Sequence, residues 1–479
     1  MPKSLKNKAV KGVSWNLAER FGNQAMSFVV AVILARLLTP EDFGLIGMVT
    51  VFFLVAEVFV QSGFGQAYIQ KKEVTDLDAN TVFYTNLVIS VVAYGGLWMA
   101  APAIAAFYEQ PALIELTRVM GLVVIINALN IIQVAQVTRD VDFKRKTKIS
   151  LSATLLSGVG GVLAALMGYG VWSLVVRQML QRALATFGFW VTSRWKPGLQ
   201  FSAKSFKQMF SFGFWVLAAG IMRTVFDNIY ILTIGKFFPA AQLGFYTKAK
   251  QFQRLSSQQL SGAVGQVAFP VLARFQEDKI QLRNKARKFL THTLAFTAPL
   301  LVILMVVAEP FVLILLTEKW APMIPFLQLL CIVGVLYPIH QVNVQLLQAQ
   351  GKSNLNFRIA VIKNSLRIIN IALMYRFGVI YIILGEVVCS FLALAVNTYY
   401  TKQLVNYGLA DQFNDLRQIL LAAVIAGASG YALSQASANI YIQFLLGGSG
   451  TVVVYTAFHY VFNRPFFIEI WNLKQSFGR

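Results

Sequence analysis

The sequence predicts an all-α polytopic membrane protein with about fourteen transmembrane helices. Three observations carry that expectation. Apolar residues exceed what soluble cores can hold, apolar runs of spanning length alternate with turn residues, and the basic charge of the loops is one-sided.

Of the 479 residues, 57% are hydrophobic and only 13% charged, with a mean hydropathy of +0.61. A soluble domain carries about 25% charged residues, so the apolar surplus must face lipid. The formal net charge is +22, from 42 Lys and Arg against 20 Asp and Glu. In a soluble chain this would point to nucleic acid. Here the cations sit mostly in short loops, where they orient spans and meet anionic headgroups, so membrane lipids are expected partners and nucleic acid is not. Cys331 and Cys389 both lie in apolar runs, which excludes a disulfide framework or a thiolate metal site. His292, His340 and His459 share no ligand spacing. No metal or cofactor is expected.

A spanning helix needs roughly 20 mostly apolar residues. Such stretches begin near Val13, Phe43, Thr81, Leu116, Ile149, Val171, Phe210, Gly244, Phe289, Met323, Leu355, Val379, Leu416 and Ile440. Thr39-Pro40, Gln110-Pro111, Gly168-Tyr169-Gly170, Pro197-Gly198, Ala321-Pro322 and Gly351 punctuate them. The first stretch follows a basic segment with Lys3, Lys6, Lys8 and Lys11 but has no small-x-small cleavage pattern, and is read as a retained span rather than a signal peptide. With a cytoplasmic N-terminus, the cytoplasmic loops hold about 28 Lys and Arg and the opposite loops about three, the asymmetry that sets orientation. Both ends are therefore expected in the cytoplasm. No loop exceeds about 20 residues, well below the size of a folded domain.

An offset of 200 residues overlays the first and seventh spans: Trp15 on Trp215, Arg36 on Lys236, Gly44 on Gly244, Gly65-Gln66 on Gly265-Gln266. Six spans separate the copies, so both halves have the same orientation. This is a parallel repeat of the transporter kind, with a substrate site between the halves. The expected organisation is an N-terminal lobe of six spans over 1–195, an amphipathic cytoplasmic linker over 196–208, a C-terminal lobe of spans seven to twelve over 209–403, and two extra spans with a cytoplasmic tail over 404–479. The lobes should be related by a pseudo-two-fold along the membrane normal.

Charges within spans are the candidate functional residues, because each costs roughly 2.5–3.5 kcal/mol at a helix centre and should face a wet cavity or a partner. The deep cations are Arg20, Arg177, Arg182, Arg223, Lys250, Arg254, Lys363 and Arg367; the deep acids are Glu19, Glu57, Asp227 and Glu386. A surplus of buried cations suits an anionic cargo, and Arg offers phosphate a planar fork. Arg223 and Asp227, spaced i,i+4, either neutralise each other or contact substrate. Lys250, Arg254, Ser257, Gln258 and Ser261 form a polar stripe suited to a cavity or a helix interface. Lys363 and Arg367 repeat the i,i+4 spacing, and snorkelling is the alternative for Lys363 and Arg20. Glu57, mid-span with no local cation, pairs with Arg20 or Arg223 or takes up a proton; Glu57 and Asp227 are the ion-coupling candidates. Asn127, Asn130 and Gln133 make one polar face for helix–helix hydrogen bonds or for sugar. Trp15, Trp98, Trp172, Trp190 and Trp195 fall near span ends, where aromatic anchors sit.

Two segments carry a resemblance. Ala35-Arg-Leu-Leu-Thr-Pro-Glu-Asp-Phe-Gly-Leu-Ile46 and Gln61-Ser-Gly-Phe-Gly-Gln-Ala-Tyr-Ile-Gln70 are similar to the polysaccharide transporter family of the multidrug/oligosaccharidyl-lipid/polysaccharide exporter superfamily, which includes flippases of the O-antigen, colanic-acid and teichuronic-acid types. The similarity extends over the whole chain. It implies a non-enzymatic flippase of a bacterial inner membrane, serving lipopolysaccharide or exopolysaccharide synthesis. Its cargo would be an oligosaccharide on undecaprenyl pyrophosphate, carried by alternating access, with polysaccharide polymerases as candidate partners.

Two other classes compete. A cation-coupled multidrug exporter of the same superfamily would favour an acidic cavity, against the sign of the charges here. A membrane-embedded polysaccharide polymerase or glycosyltransferase would bring a large outer loop or a metal-binding soluble domain, and no carboxylate pair is placed for acid–base work.

Overall fold

The computed structural model describes residues 3–60, 64–71 and 73–464. Positions 61–63 of the second family segment, and the tail from 465 onward, lie outside the described residues. The described chain is helical throughout and forms two compact units, Met1–Gly244 and Phe245–Arg479.

The first unit contains α1 (Lys3–Leu37), α2 (Pro40–Val60), the short α3 (Phe64–Gln70), α4 (Asp76–Tyr108), α5 (Leu113–Ala128), α6 (Ile131–Arg139), α7 (Phe143–Leu166), α8 (Trp172–Thr192), α9 (Ala203–Asp227) and α10 (Ile229–Phe237). Helix α11 (Ala240–Arg274) begins at its end and runs into the second unit. That unit continues with α12 (Lys279–Val306), α13 (Ala308–Leu316), α14 (Ile324–Ala349), α15 (Ser353–Met374), α16 (Val379–Val405), α17 (Leu409–Ser434) and α18 (Ile440–Phe462).

Among the described residues, 8 helical segments are long and apolar enough to cross a membrane, and 10 if the bent pairs α5–α6 (42°) and Leu217–Asp227 with α10 (47°) each make one span. Helices α1, α8, α11 and α15 are also long, at 35, 21, 35 and 22 residues, but more polar. Each of the fourteen expected stretches begins within a helix or at its N-cap. The chain is a multi-pass membrane protein.

Local chemistry explains the boundaries. Thr75 and Asp78 form a reciprocal capping box at the start of α4, and Asp142, Asp278 and Asn439 cap α7, α12 and α18 through their side chains. Each satisfies N–H groups that the first helical turn leaves without partners. Helix α4 ends on Glu109 and α16 on Asn406, both in the left-handed region, and Gly168, Gly351 and Gly378 take positive φ in turns.

One expectation changes here. The face Asn127, Asn130, Gln133 is not a single straight stripe, because the helix breaks at Asn130 (φ −110°, ψ 3°). That conformation is one Asn tolerates, and its side-chain amide donates to Thr186 Oγ1 on α8 at 2.7 Å. The bend sits where the helix binds its neighbour.

The repeat has a physical counterpart. A Cβ on Gly44 would collide with the Ala240 carbonyl oxygen, and one on Gly244 with the Pro40 carbonyl oxygen. These four residues are two pairs at the 200-residue offset, so the starts of α2 and α11 cross reciprocally inside the first unit. Only a residue without a side chain permits that approach.

The segment joining α8 to α9 has no helix until Ala203. Its backbone is fastened to α4 by Gly198 N–H to Asn80 Oδ1 at 3.0 Å and Ser202 N–H to Thr81 Oγ1 at 3.1 Å. Trp190 and Trp195 pack inside the unit instead of projecting as anchors: Trp190 donates to the Leu129 carbonyl at 2.8 Å, and Trp195 is buried with its ring edge-on to Phe83.

In the second unit, α17 and α18 are built into the core formed by α12, α14 and α16. Gln412 and Asn343 exchange hydrogen bonds at 2.7 and 3.0 Å, Arg287 pairs with Asp415 at 2.8 Å, and Tyr407 donates to Asp415 at 2.9 Å. A fully partnered polar network of this kind fixes one arrangement of helices.

Candidate functional site

The first unit has a half-open cavity of about 450 Å³ between α1, α2, the α5–α6 break, α7 and α8. Four charged residues line it in two opposite pairs. Arg182 on α8 stands 3.8 Å from Glu57 on α2, and Lys146 on α7 stands 3.5 Å from Glu19 on α1. Asn127 donates to Glu57 Oε1 at 3.0 Å. The Glu57 and Glu19 side chains are each 13% exposed, so both carboxylates are largely withdrawn from solvent. Buried carboxylates are tolerable only with partners of this kind.

Glu57 was expected to meet Arg20 or Arg223; its partner is Arg182. The reason is geometric, since α2 and α8 both pack against α5, which brings Arg182 and Asn127 to the same carboxylate. Arg20 lies one turn before Asn23 on α1, and Arg177 precedes Arg182 on α8; neither is among the residues lining this cavity. Arg223 pairs with Asp227 at 3.5 Å within α9, and both are well exposed, at 84% and 49% of the side chain.

The second unit gathers the remaining candidates in two groups. Lys250 donates to Tyr246 Oη at 2.6 Å and stands 3.7 Å from Glu386 on α16, whose other oxygen accepts from Tyr246 at 3.2 Å. Along the same stripe of α11, Ser257 and Ser261 are buried and donate back to carbonyls of their own helix. This part of the stripe is a helix interface. Arg254 keeps a buried Nε without a hydrogen-bond partner.

The other group lies on α14, α15 and α16. Arg367 donates to Asn364 at 3.4 Å, His340 meets Ser390 at 3.2 Å and Asn397 at 2.9 Å, and Lys363 and Arg367 are both half-buried.

Sequence reasoning named the charges but not their pairing, and it missed Lys146 and Gln181 as cavity residues. A helical wheel of α7 or α8 carries no signal for either. Among the described residues no group of His, Cys, Asp and Glu is arranged to hold a metal ion.

Residues 33–325 match the family described as polysaccharide biosynthesis protein. The chain belongs to that family. It is 26% identical over 356 residues to the teichuronic acid biosynthesis protein TuaB of Bacillus subtilis (strain 168), covering 74% of each chain. It is 26% identical over 365 residues to the lipopolysaccharide biosynthesis protein WzxC of Escherichia coli (strain K12), covering 76% of this chain and 74% of that one. Among solved structures, lipid II flippase MurJ in an inward closed conformation shares the fold, with a TM-score of 0.76 over 95% of this chain and 99% of that chain at 15% identity. An inward-facing multidrug resistance MATE transporter of the MOP superfamily shares it with a TM-score of 0.65 over 80% of this chain and 94% of that one, at 14% identity.

Proposed function

We propose that this protein is a flippase, moving an oligosaccharide linked to undecaprenyl pyrophosphate across a bacterial inner membrane by alternating access. The observation that carries the reading is the set of half-buried cations on helices of spanning length. They are Arg177 on α8, Lys250 and Arg254 on α11, and Lys363 and Arg367 on α15. Cations at that depth are costly unless they have a use, and a pyrophosphate linker supplies one. Family membership and relatives named for teichuronic acid and lipopolysaccharide synthesis support the same cargo class. One relative, 26% identical over 330 residues, is the succinoglycan biosynthesis transport protein ExoT of Rhizobium meliloti (strain 1021).

In this reading both termini are cytoplasmic, the cargo enters from that side, and a polysaccharide polymerase receives it on the other. The protein catalyses no chemical step. Glu57 and Asp227 are the groups proposed to couple transport to protons or sodium. Glu57→Gln should flatten the pH dependence of flipping, and an unchanged profile removes Glu57 from that role.

The deciding experiment is flipping of a fluorescent undecaprenyl-pyrophosphate oligosaccharide in proteoliposomes, with wild type beside Arg223→Ala, Arg254→Ala and Lys363→Ala. Flipping by wild type and at least a tenfold loss in Arg254→Ala or Lys363→Ala is the expected result. Wild type that flips no glycolipid, with or without an ion gradient, but exports a lipophilic cation dye would replace this reading with the multidrug-exporter one.

A further inference from the structure

We infer that the cavity of the first unit is the subsite for the sugar part of the cargo and excludes its phosphates; the inference rests on the flippase reading. The wall of this cavity is polar and its charges balance. Thr186 donates its hydroxyl proton to the Ile126 carbonyl at 3.2 Å, so toward Asn130 it acts only as an acceptor, and the Asn130 NH2 must face it. Gln181 donates its NH2 to Thr154 Oγ1 at 3.2 Å, and Thr154 donates to Asn23 Oδ1 at 2.8 Å. Asn127 turns its NH2 to the Glu57 carboxylate. The neighbours of Asn127 and Asn130 thus fix the orientation of those two amides.

Each NH2 uses one of its two protons on the protein, so each of these cavity-lining amides keeps one N–H and its carbonyl oxygen for a ligand. The carboxylates of Glu57 and Glu19 add further acceptors. The two cations on the wall, Arg182 and Lys146, are already held by those carboxylates.

A wall of amide donors and acceptors with no net charge selects its ligand by complementarity. Sugar hydroxyls are donors as well as acceptors and can meet amide and carboxylate oxygens directly. A phosphate at neutral pH offers mainly acceptors and negative charge, and it would meet two carboxylates together with cations whose charge those carboxylates already balance. Lys363 and Arg254, which lie outside this cavity, have no carboxylate beside them in an ion pair among the described residues. The chemistry separates the two ends of the cargo.

The test measures binding to protein in nanodiscs of two kinds of fluorescent probe. One is sugar-free undecaprenyl pyrophosphate; the other is a panel of three undecaprenyl-pyrophosphate oligosaccharides of differing sugars. Wild type should bind at least one sugar-bearing probe tenfold or more tightly than the sugar-free lipid. Asn130→Leu and Gln181→Leu should each cut that preference at least fivefold while leaving the sugar-free affinity unchanged, which also reports that the variants are folded. Gln181→Glu keeps an acceptor oxygen and should keep the preference. A preference that survives both leucine variants, or wild type that does not distinguish the probes, overturns the sugar subsite and leaves the flippase reading standing. Wild type that binds neither kind of probe overturns the flippase reading and the subsite with it.

Discussion

The two units place an ion pair across the same two helices but reverse its polarity. At the 200-residue offset α2 corresponds to α11, and α8 to α16 as the sixth and twelfth spans. In the first unit the acid is on α2 and the cation on α8, Glu57 with Arg182 at 3.8 Å. In the second the cation is on α11 and the acid on α16, Lys250 with Glu386 at 3.7 Å. In both, the member on α2 or α11 is deeply buried, at 13% and 12% exposure of the side chain. What is common to the two units is compensation of a buried charge, not its sign. The surroundings differ as well: Arg182 is 43% exposed, whereas Glu386 is only 15% exposed.

That difference ranks the consequences of breaking each pair. Lys250→Ala strands Glu386 in a closed environment and removes the donor to Tyr246, so the loss should be about 3 kcal/mol, at the low end for a broken buried pair because the separation is long. Thermal melting in detergent measures it. The double variant Lys250→Ala with Glu386→Ala should recover at least half the loss. A double variant as unstable as the sum of the singles would show that the two charges do not compensate each other.

The glycine crossing is the second point at which the repeat can be tested. Gly44→Ala and Gly244→Ala each drive a methyl into a backbone carbonyl, and backbone gives way less readily than the end of a side chain. Each should cost about 1–3 kcal/mol, as overpacking does. Because the contact is reciprocal, the two losses should agree within about 1 kcal/mol, and the double variant should lose less than their sum. Full additivity would mean that the two sites do not share one contact.

For the first-unit pair, Glu57→Ala leaves a half-solvated Arg182 and an Asn127 without its acceptor, and the expected loss is about 1–2 kcal/mol after allowance for screening at Arg182. The more informative variant imposes the polarity of the second unit. Glu57→Arg with Arg182→Glu should melt within about 1 kcal/mol of wild type, while either single substitution falls well below it, since like charges then face each other. If the exchanged pair is no better than the singles, polarity is set by something other than mutual compensation.

These comparisons also show what the sequence could reveal. Spans were legible because each needs its own length of apolar residues, and depth was legible because a charge such as Lys363 interrupts such a run. Pairing was not. Glu57 and Arg182 are distant in sequence and meet only because α2, α5 and α8 pack together, so the local spacing that exposes Arg223 with Asp227 has no counterpart there. The α5–α6 bend at Asn130 was hidden because the run stays apolar through Leu129 and Ile131. The firm seating of α17 was hidden for the related reason that its hydrogen bonds, Gln412 to Asn343 among them, join residues on different spans.

The smallest effect belongs to a pair at the end of α4, outside the spans. Lys236 donates to Glu109 at 2.8 Å, and that hydrogen bond, with the ammonium charge, holds the Glu109 carboxyl below its ordinary value of 4.5. A carboxyl lowered on folding stabilises above its unfolded pKa, and the contribution disappears as the pH falls through the folded value. The difference in melting temperature between wild type and Glu109→Gln should therefore be small but constant from pH 8 down to about pH 5, then shrink as the carboxylate is protonated. At pH 7 it should also shrink in about 1 M salt, where the Debye length is roughly 3 Å, because the Glu109 side chain is 81% exposed. The buried pairs should keep their effect in the same salt. A Glu109→Gln difference that ignores both acid and salt would place its origin in the left-handed helix end that Glu109 occupies, where φ is 58°, and not in its charge.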